Sequence, residues 1–229
     1  APFAGAWRRL PGPDLGGGLL EAEERRKDRA RLLLDRYGVV FRELLQRELG
    51  PLRWNGVFRA LRLMELAGEA LAGCFFENLP GPQFVSRQAF RELRRGLPED
   101  AAYWLAATDP ASICGLGLDA FRDSLPKRLS GSHLSYLGSK LILVSRRKGR
   151  ELEIHAEPGD PRMPEFLAPL SHMLERSFRP ETRIVVETIN GEPAPRSPYL
   201  DDLRRAFDAA ADYKAVTLYR KTNATGNVQ

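Results

Sequence analysis

Apolar positions recur at helical spacing over residues 29–67 and then give way to short continuous apolar runs. Arg29–Tyr37 reads as a first helix carrying Leu32, Leu33 and Leu34. Phe41–Leu49 reads as a second, with Leu44, Leu45 and Leu49 along one side. Trp54–Ala67 reads as a third and ends at Gly68, a residue suited to the left-handed position after a helix. Two apolar strands follow, Glu69–Phe76 and Gln83–Ser86, with Asn78-Leu79-Pro80-Gly81-Pro82 turning between them.

Three short helices closed by a hairpin is the order of a winged helix, a helix-turn-helix variant. Within the third helix Val57, Leu61 and Met64 share the core side. Asn55, Arg59 and Arg62 recur at i, i+4, i+7 on another side, with Arg53 just before them. Long donors on an exposed helix face suit a nucleic-acid groove; the same three arginines also suit an ordinary solvated face. Glu21–Lys27 is a mixed-charge run leading into the first helix, and Arg87–Arg95 is a short basic helix after the hairpin.

Beyond Gly96-Leu97-Pro98 the pattern changes to alternation. Tyr103–Ala107 is an apolar strand, and Thr108-Asp109-Pro110-Ala111 ends it as a turn. His133–Tyr136, Lys140–Ser145 and Glu151–Ala156 form a meander with turns at Leu137-Gly138-Ser139 and Arg147-Lys148-Gly149. The meander exposes Lys140, Arg146, Arg147, Lys148 and Arg150, the densest basic cluster in the chain. Such a cluster suits a phosphate backbone or simply protects a sheet edge. Met163–Arg176 reads as an amphipathic helix with Phe166, Leu167, Leu170 and Met173 apolar, entered through Asp160-Pro161. Arg183–Ile189 is a β-branched strand turned by Asn190-Gly191. Tyr199–Ala210 is a helix with Ser197 placed to cap it, and Tyr213–Tyr219 is a closing strand.

The pattern thus predicts an α+β chain: an arm or linker over 1–20, a winged-helix domain over 21–97, a small β-rich, barrel-like domain with flanking helices over 98–221, and a disordered tail over 222–229. At 229 residues the chain holds two cores of this size. Hydrophobic content of 43% with 28% charged residues reads as globular. A net charge of +5 is compatible with a polyanionic partner without specifying one. Cys74 and Cys114 show no paired spacing and read as buried free thiols of a reducing, cytoplasmic setting. No run reaches membrane-spanning length. The chain begins at Ala1 rather than Met and reads as a piece of a longer protein.

Candidate chemistry is sparse. There is no GxxxxGK[ST] phosphate loop, no G-x-S-x-G elbow and no His/Cys metal spacing; His133, His155 and His172 are scattered. Asp109 is the catalytic candidate, although an Asp-Pro after a strand is also ordinary turn chemistry, the carboxylate capping its own backbone.

Several motifs resemble the large helicase-related (Lhr-type) superfamily 2 helicases. Arg36-Tyr37-Gly38-Val39-Val40 with Arg42-Glu43 resembles that family's "RYGVVTRE", with Phe41 in place of the Thr whose hydroxyl caps the second helix. Phe75–Phe84 resembles its "yFVeGLgGaQFa" wing, and Gly5–Leu10 its "GRWSLL" entry, with Trp7 as an anchor. Tyr103–Gly117 resembles "lAATDPAnPyG", loosely after Ala111. Arg147-Lys148-Gly149-Arg150 with Leu152 resembles "eRgGrsLl". Ile189–Ala194 with Ser197-Pro198 and Leu203 resembles "INGepa…SPl…L", but Ala206-Phe207 lacks the family's following Gly. The resemblance implies ATP-dependent 3′-to-5′ translocases acting on DNA or RNA–DNA duplexes, with ATP and Mg²⁺ bound by motor domains upstream and no cofactor in this fragment. Its implied partners are single-stranded DNA or an RNA–DNA hybrid and those motor domains in cis, with no membrane. The expected role is to bind and guide the loading strand through Arg53, Asn55, Arg59 and Arg62 and through Lys140, Arg146, Arg147, Lys148 and Arg150, the fragment itself being non-catalytic. Two alternatives stand beside it. One is a DNA-glycosylase-like repair module, in which Asp109, Asp201 or Asp202 activates water; the other is a protein-interaction module.

Overall fold

The structure, a computed structural model, describes residues 18–77, 79–96, 98–116, 118 and 125–221. The arm up to residue 17 with its Trp7, Asn78 of the wing turn, Leu97, Gly117 and the tail 222–229 lie outside the described residues. The chain divides into two compact units, Ala1–Ala89 and Phe90–Gln229.

In the first unit α1 (Leu19–Tyr37) begins ten residues before the first apolar repeat. Its charged opening turns are laced by Arg26–Glu23, Lys27–Glu24 and Arg31–Asp28 pairs at 2.6–3.0 Å. Pairs at this spacing are worth a few tenths of a kcal/mol each, enough to extend a helix already docked by Ala30, Leu33 and Leu34. A two-residue strand β1 (Val39–Val40) follows; its brevity hid it from the sequence pattern. The expected second helix is instead two 3₁₀ turns, Leu44–Arg47 and Gly50–Leu52. Pro51 supplies no N–H and disfavours helix at Gly50, so the segment breaks, and Leu49 is left exposed rather than in line with buried Leu44 and Leu45.

The third helix, α2 (Trp54–Leu66), stops at Ala67 with Gly68 at φ +73°. It buries Val57, Ala60, Leu61 and Met64; full burial of such side chains is worth about 1.5–3 kcal/mol each for the larger ones. Strands β2 (Ala70–Gly73) and β3 (Gln83–Ser86) complete an antiparallel sheet in the order β1-β3-β2. The buried Gln83 holds the wing's base: its Oε1 accepts from the N–H groups of Phe75 and Phe76 at 2.9 and 2.8 Å, and its Nε2 donates to the Phe76 carbonyl at 2.9 Å. Helix α3 (Arg87–Arg95) starts at once, with the Ser86 hydroxyl accepting from Ala89 N–H. This is a winged helix.

The second unit is built on a six-stranded sheet. Its strands are β4 (Ala102–Ala106), β5 (His133–Leu137), β6 (Lys140–Arg146), β7 (Glu151–Ile154), β9 (Thr188–Ile189) and β10 (Glu192–Pro193), ordered β10-β9-β7-β6-β5-β4. All neighbours are antiparallel except β7 and β9. A second sheet, ordered β11-β12-β8, uses β8 (Ile184–Val186), β11 (Asp208–Ala211) and β12 (Val216–Tyr219). Both sheets are open among the described residues, so the barrel-like expectation resolves into two open sheets around one core. That core joins Leu143, Leu152 and Ile154 to Phe166, Leu170, Met173, Ile184 and Leu218.

The long helix expected over 163–176 is two, α4 (Met163–Phe166) and α5 (Ala168–Glu175). Pro169 lacks the N–H that would bond back to Glu165, and the ladder breaks at Leu167. The single strand expected over 183–189 divides at Glu187, sending β8 to one sheet and β9 to the other. Helix α6 (Leu200–Ala206) ends at Phe207, in extended backbone, and β11 takes the residues expected to continue it. Of the two cysteines, Cys114 is buried but Cys74 is exposed at the end of β2, correcting the expectation that both lie inside.

Candidate nucleic-acid interface

Burial of Val57, Leu61 and Met64 turns the opposite side of α2 outward. Asn55, Arg59 and Arg62 are exposed there, and Arg53 is exposed in the extended residue before the helix; at 1.5 Å per residue Asn55 to Arg62 spans about 10 Å of helix. Trp54 fixes the helix start by stacking on Phe58, ring centroids 5.0 Å apart, both rings leaning on Phe84. Arg53 Nε donates to the Glu48 carbonyl at 3.0 Å. Arg62 pairs with Glu65 one turn on, and Arg59 stands 3.8 Å from Glu23 with 78% of its side chain exposed. At the helix start Arg53 and Asn55 line a shallow cleft of about 200 Å³ together with Arg42 and Gln46. Sequence reasoning missed these last two because the broken second helix, not a regular one, brings them there. The wing, residues 74–82, contains no Lys or Arg, so it offers a phosphate no cation of its own.

The tip between β6 and β7 differs. Arg147, Lys148 and Gly149 are three successive residues at positive φ (52°, 58° and 87°). Gly149 is required there: a Cβ would stand 2.5 Å from Ile184 Cγ2 and 3.2 Å from Leu170 Cδ2. The fold that presents the cations also supplies their partners. Arg146 meets Glu153 at 2.8 Å, Arg147 meets Glu151 at 2.6 Å, Lys148 meets Glu181 at 2.9 Å and Arg150 meets Glu187 at 3.3 Å. Four carboxylates therefore face four cations, and the net field at the tip is small. Lys140 does not belong to this group. It opens the seven-residue strand that Arg146 closes, about 20 Å away along β6.

The acidic candidates are occupied by local structure. Asp109 Oδ1 accepts from Ala111 N–H at 2.8 Å, the Asx turn that its sequence context also allowed. Arg128 holds the same loop, donating to the carbonyls of Thr108 and Asp109 at 2.7 and 3.0 Å. Asp201 pairs with Arg204 at 3.2 Å. Asp202 is 3% exposed and accepts from Gly159 N–H at 2.9 Å.

The histidines split in the same way. His155 lies 3.3 Å from Glu153. His133 and His172 flank the indole of Trp104, at centroid distances of 5.9 and 5.0 Å. Burial pushes the His133 pKa below its usual value, and His172 and Arg176 push it the same way. Among the described residues no three His, Cys, Asp or Glu side chains gather as metal ligands, and no helix is long and apolar enough to cross a membrane.

Known proteins show what this arrangement is similar to. A family model described as "Large helicase-related protein, winged-helix domain" matches residues 20–105. A protein of Escherichia coli (strain K12) named "Lhr helicase/uracil glycosylase" is 30% identical over 210 residues, covering 85% of this chain and 14% of its own length. A protein of Mycolicibacterium smegmatis named "Lhr helicase/ probable uracil glycosylase" is 31% identical over 159 residues, covering 65% of this chain and 10% of its own. The chain thus spans about a seventh or less of the relatives it matches, within which it corresponds to part of the C-terminal region. With its winged helix, the β1-β3-β2 sheet of that unit and these matches, the chain belongs to the Lhr-type, large helicase-related family.

Proposed function

We propose that this chain binds a single nucleic-acid strand through the outward side of α2 and guides it for a motor located elsewhere in the full-length helicase. One observation carries the reading: Asn55, Arg59 and Arg62 share one exposed side of the helix that a winged helix presents, with Arg53 exposed just before its first turn. ATP and Mg²⁺ belong to the motor, since this chain has no phosphate loop. The tip cations near Gly149 contribute a weaker, screened attraction because each already faces a carboxylate. Fluorescence anisotropy of a labelled single strand tests this. An Arg59→Ala/Arg62→Ala variant should bind more weakly and reduce the slope of log K against log salt by about 1.4, the change for two lost phosphate contacts on a single strand. Equal affinity and slope in the variant would refute it.

The names of both relatives favour a second reading, uracil excision. In that reading a carboxylate activates water at a flipped-out base, and Asp109, Asp201 and Asp202 are the residues to change. The assay is release of uracil from a uracil-containing oligonucleotide. Loss of release in Asp109→Asn, Asp201→Asn or Asp202→Asn with binding retained would assign the base; retention in all three excludes them.

A further inference from the structure

A second cation surface lies outside every motif: the loop from Arg176 to Arg183, between α5 and β8. It differs from the Gly149 tip in two respects. First, it displays an aromatic ring. Phe178 is 75% exposed, with the Arg179 guanidinium 5.1 Å from its ring centroid. Second, its outer cations are not neutralised. Among the described residues, neither Arg179 nor Arg183 has a carboxylate within ion-pair distance, and both are exposed. The acid of the loop, Glu181, is engaged by Lys148 at 2.9 Å and by Arg176 at 3.6 Å.

The exposure of Phe178 is held in place rather than loose. Arg176 Nε donates to the Arg179 carbonyl at 3.0 Å, and Glu181 N–H returns to the Met173 carbonyl of α5 at 2.8 Å. Arg179 itself sits at φ +47°, a conformation that costs a non-glycine residue about 1 kcal/mol or more. One helical turn back from Arg176 lies His172, exposed over the half-buried Trp104. A fixed, outward-facing ring flanked by unpaired guanidinium groups is the combination that unpaired bases and their phosphates use: the ring offers a stacking face, and the arginines offer forks to the backbone.

We propose that this loop is a stacking site for a single nucleic-acid strand, with one unpaired base lying on Phe178 and Arg179 and Arg183 meeting the adjoining phosphates. The inference rests on the strand-binding reading above but places a contact on residues that reading does not use.

The test measures anisotropy of a labelled single strand, an abasic strand of equal length and a duplex, together with quenching of 2-aminopurine placed in the single strand. Phe178→Ala should weaken single-strand binding about 5- to 100-fold, abolish the quenching and leave the salt slope, the abasic strand and the duplex unchanged. Phe178→Trp should restore both affinity and quenching. Arg179→Ala/Arg183→Ala should lower the salt slope by about 1.4. Because these side chains are exposed, thermal unfolding of each variant should match the parent. If the parent binds single strands and Arg59→Ala/Arg62→Ala weakens it, but Phe178→Ala does not, this site is overturned while the α2 reading stands, and the ring belongs to a protein contact instead. Equal loss on the abasic strand also overturns stacking. If the parent binds no single strand, both readings fall together.

Discussion

Gly56 lies against Pro51: a Cβ built on Gly56 would stand 2.7 Å from the Pro51 carbonyl oxygen and 3.2 Å from its carbonyl carbon. The first turn of α2 thus touches the backbone of the 3₁₀ turn before it, and this contact sets the angle at which the arginine side of α2 is presented. Backbone cannot retreat as a flexible side chain can, so Gly56→Ala should cost about 1–3 kcal/mol and weaken strand binding as the helix is pushed out. Gly50→Ala, where a Cβ meets nothing within 4 Å, is the control. Urea midpoints of the two variants decide the matter, and equal midpoints contradict the close approach.

Gln83 fixes the wing through three hydrogen bonds to the backbone of Phe75 and Phe76. Replacing it with alanine leaves two donors and one acceptor unpaired in a partly buried place, an effect of about 2–4 kcal/mol in all. Gln83→Ala should lower the unfolding midpoint and speed proteolytic cleavage within residues 74–82 under native conditions. Gln83→Glu keeps the acceptor but not the donor, and should fall between the two.

The parts of this fold that could be read in the sequence are those fixed by local chemistry. Helix α2 was legible from Val57, Leu61 and Met64 on one side and from Gly68 at its end. The β5-β6-β7 meander was legible from alternation around Gly138 and Gly149. What escaped depends on partners distant in sequence. Strand β1 is two residues that become a strand only against Val85 and Phe84. The run 183–189 looks continuous, yet Glu187 turns out of it and donates to the Arg150 carbonyl at 2.7 Å. Leu49 resembles its buried neighbours until Pro51 breaks the turn. The candidate site follows the same division. The arginine side of α2 was visible as a helical repeat. The neutralisation of the Gly149 tip was not, because Glu181 and Glu187 come from segments more than thirty residues away, and neither was the displayed ring of Phe178, which no periodicity marks.

Pairing at the tip gives an expectation opposite to that of a bare basic patch. Arg147 and Arg150 face Glu151 and Glu187 at 2.6–3.8 Å. A variant that removes both arginines together with their partners, Arg147→Ala/Arg150→Ala/Glu151→Gln/Glu187→Gln, leaves the local net charge unchanged and should therefore change single-strand affinity less than about twofold. Glu151→Gln/Glu187→Gln should raise affinity at low salt, with the gain vanishing as the Debye length falls below about 8 Å. Anisotropy titrations from low to high salt check both; a large loss in the fourfold variant would restore the tip as a principal contact.

The His133 imidazole links the second unit to pH. Its pKa in the folded chain is depressed, chiefly by burial beside Trp104 and secondarily by His172 and Arg176, while in the unfolded chain it returns to about 6.5. Between those two values the unfolded chain binds more protons than the folded one, so stability rises with pH across that window. The contribution is complete above about pH 6.5 and is lost as the pH falls through 6.5 toward the folded value. Urea unfolding from pH 5 to pH 8 should show this slope in the parent and a flatter one in His133→Asn, which keeps a polar group but cannot titrate. His172→Gln should flatten it partly, by removing one of the groups that oppose protonation. A His133→Asn variant with the parent's slope would move the titrating group elsewhere and leave the depressed imidazole without effect on folding.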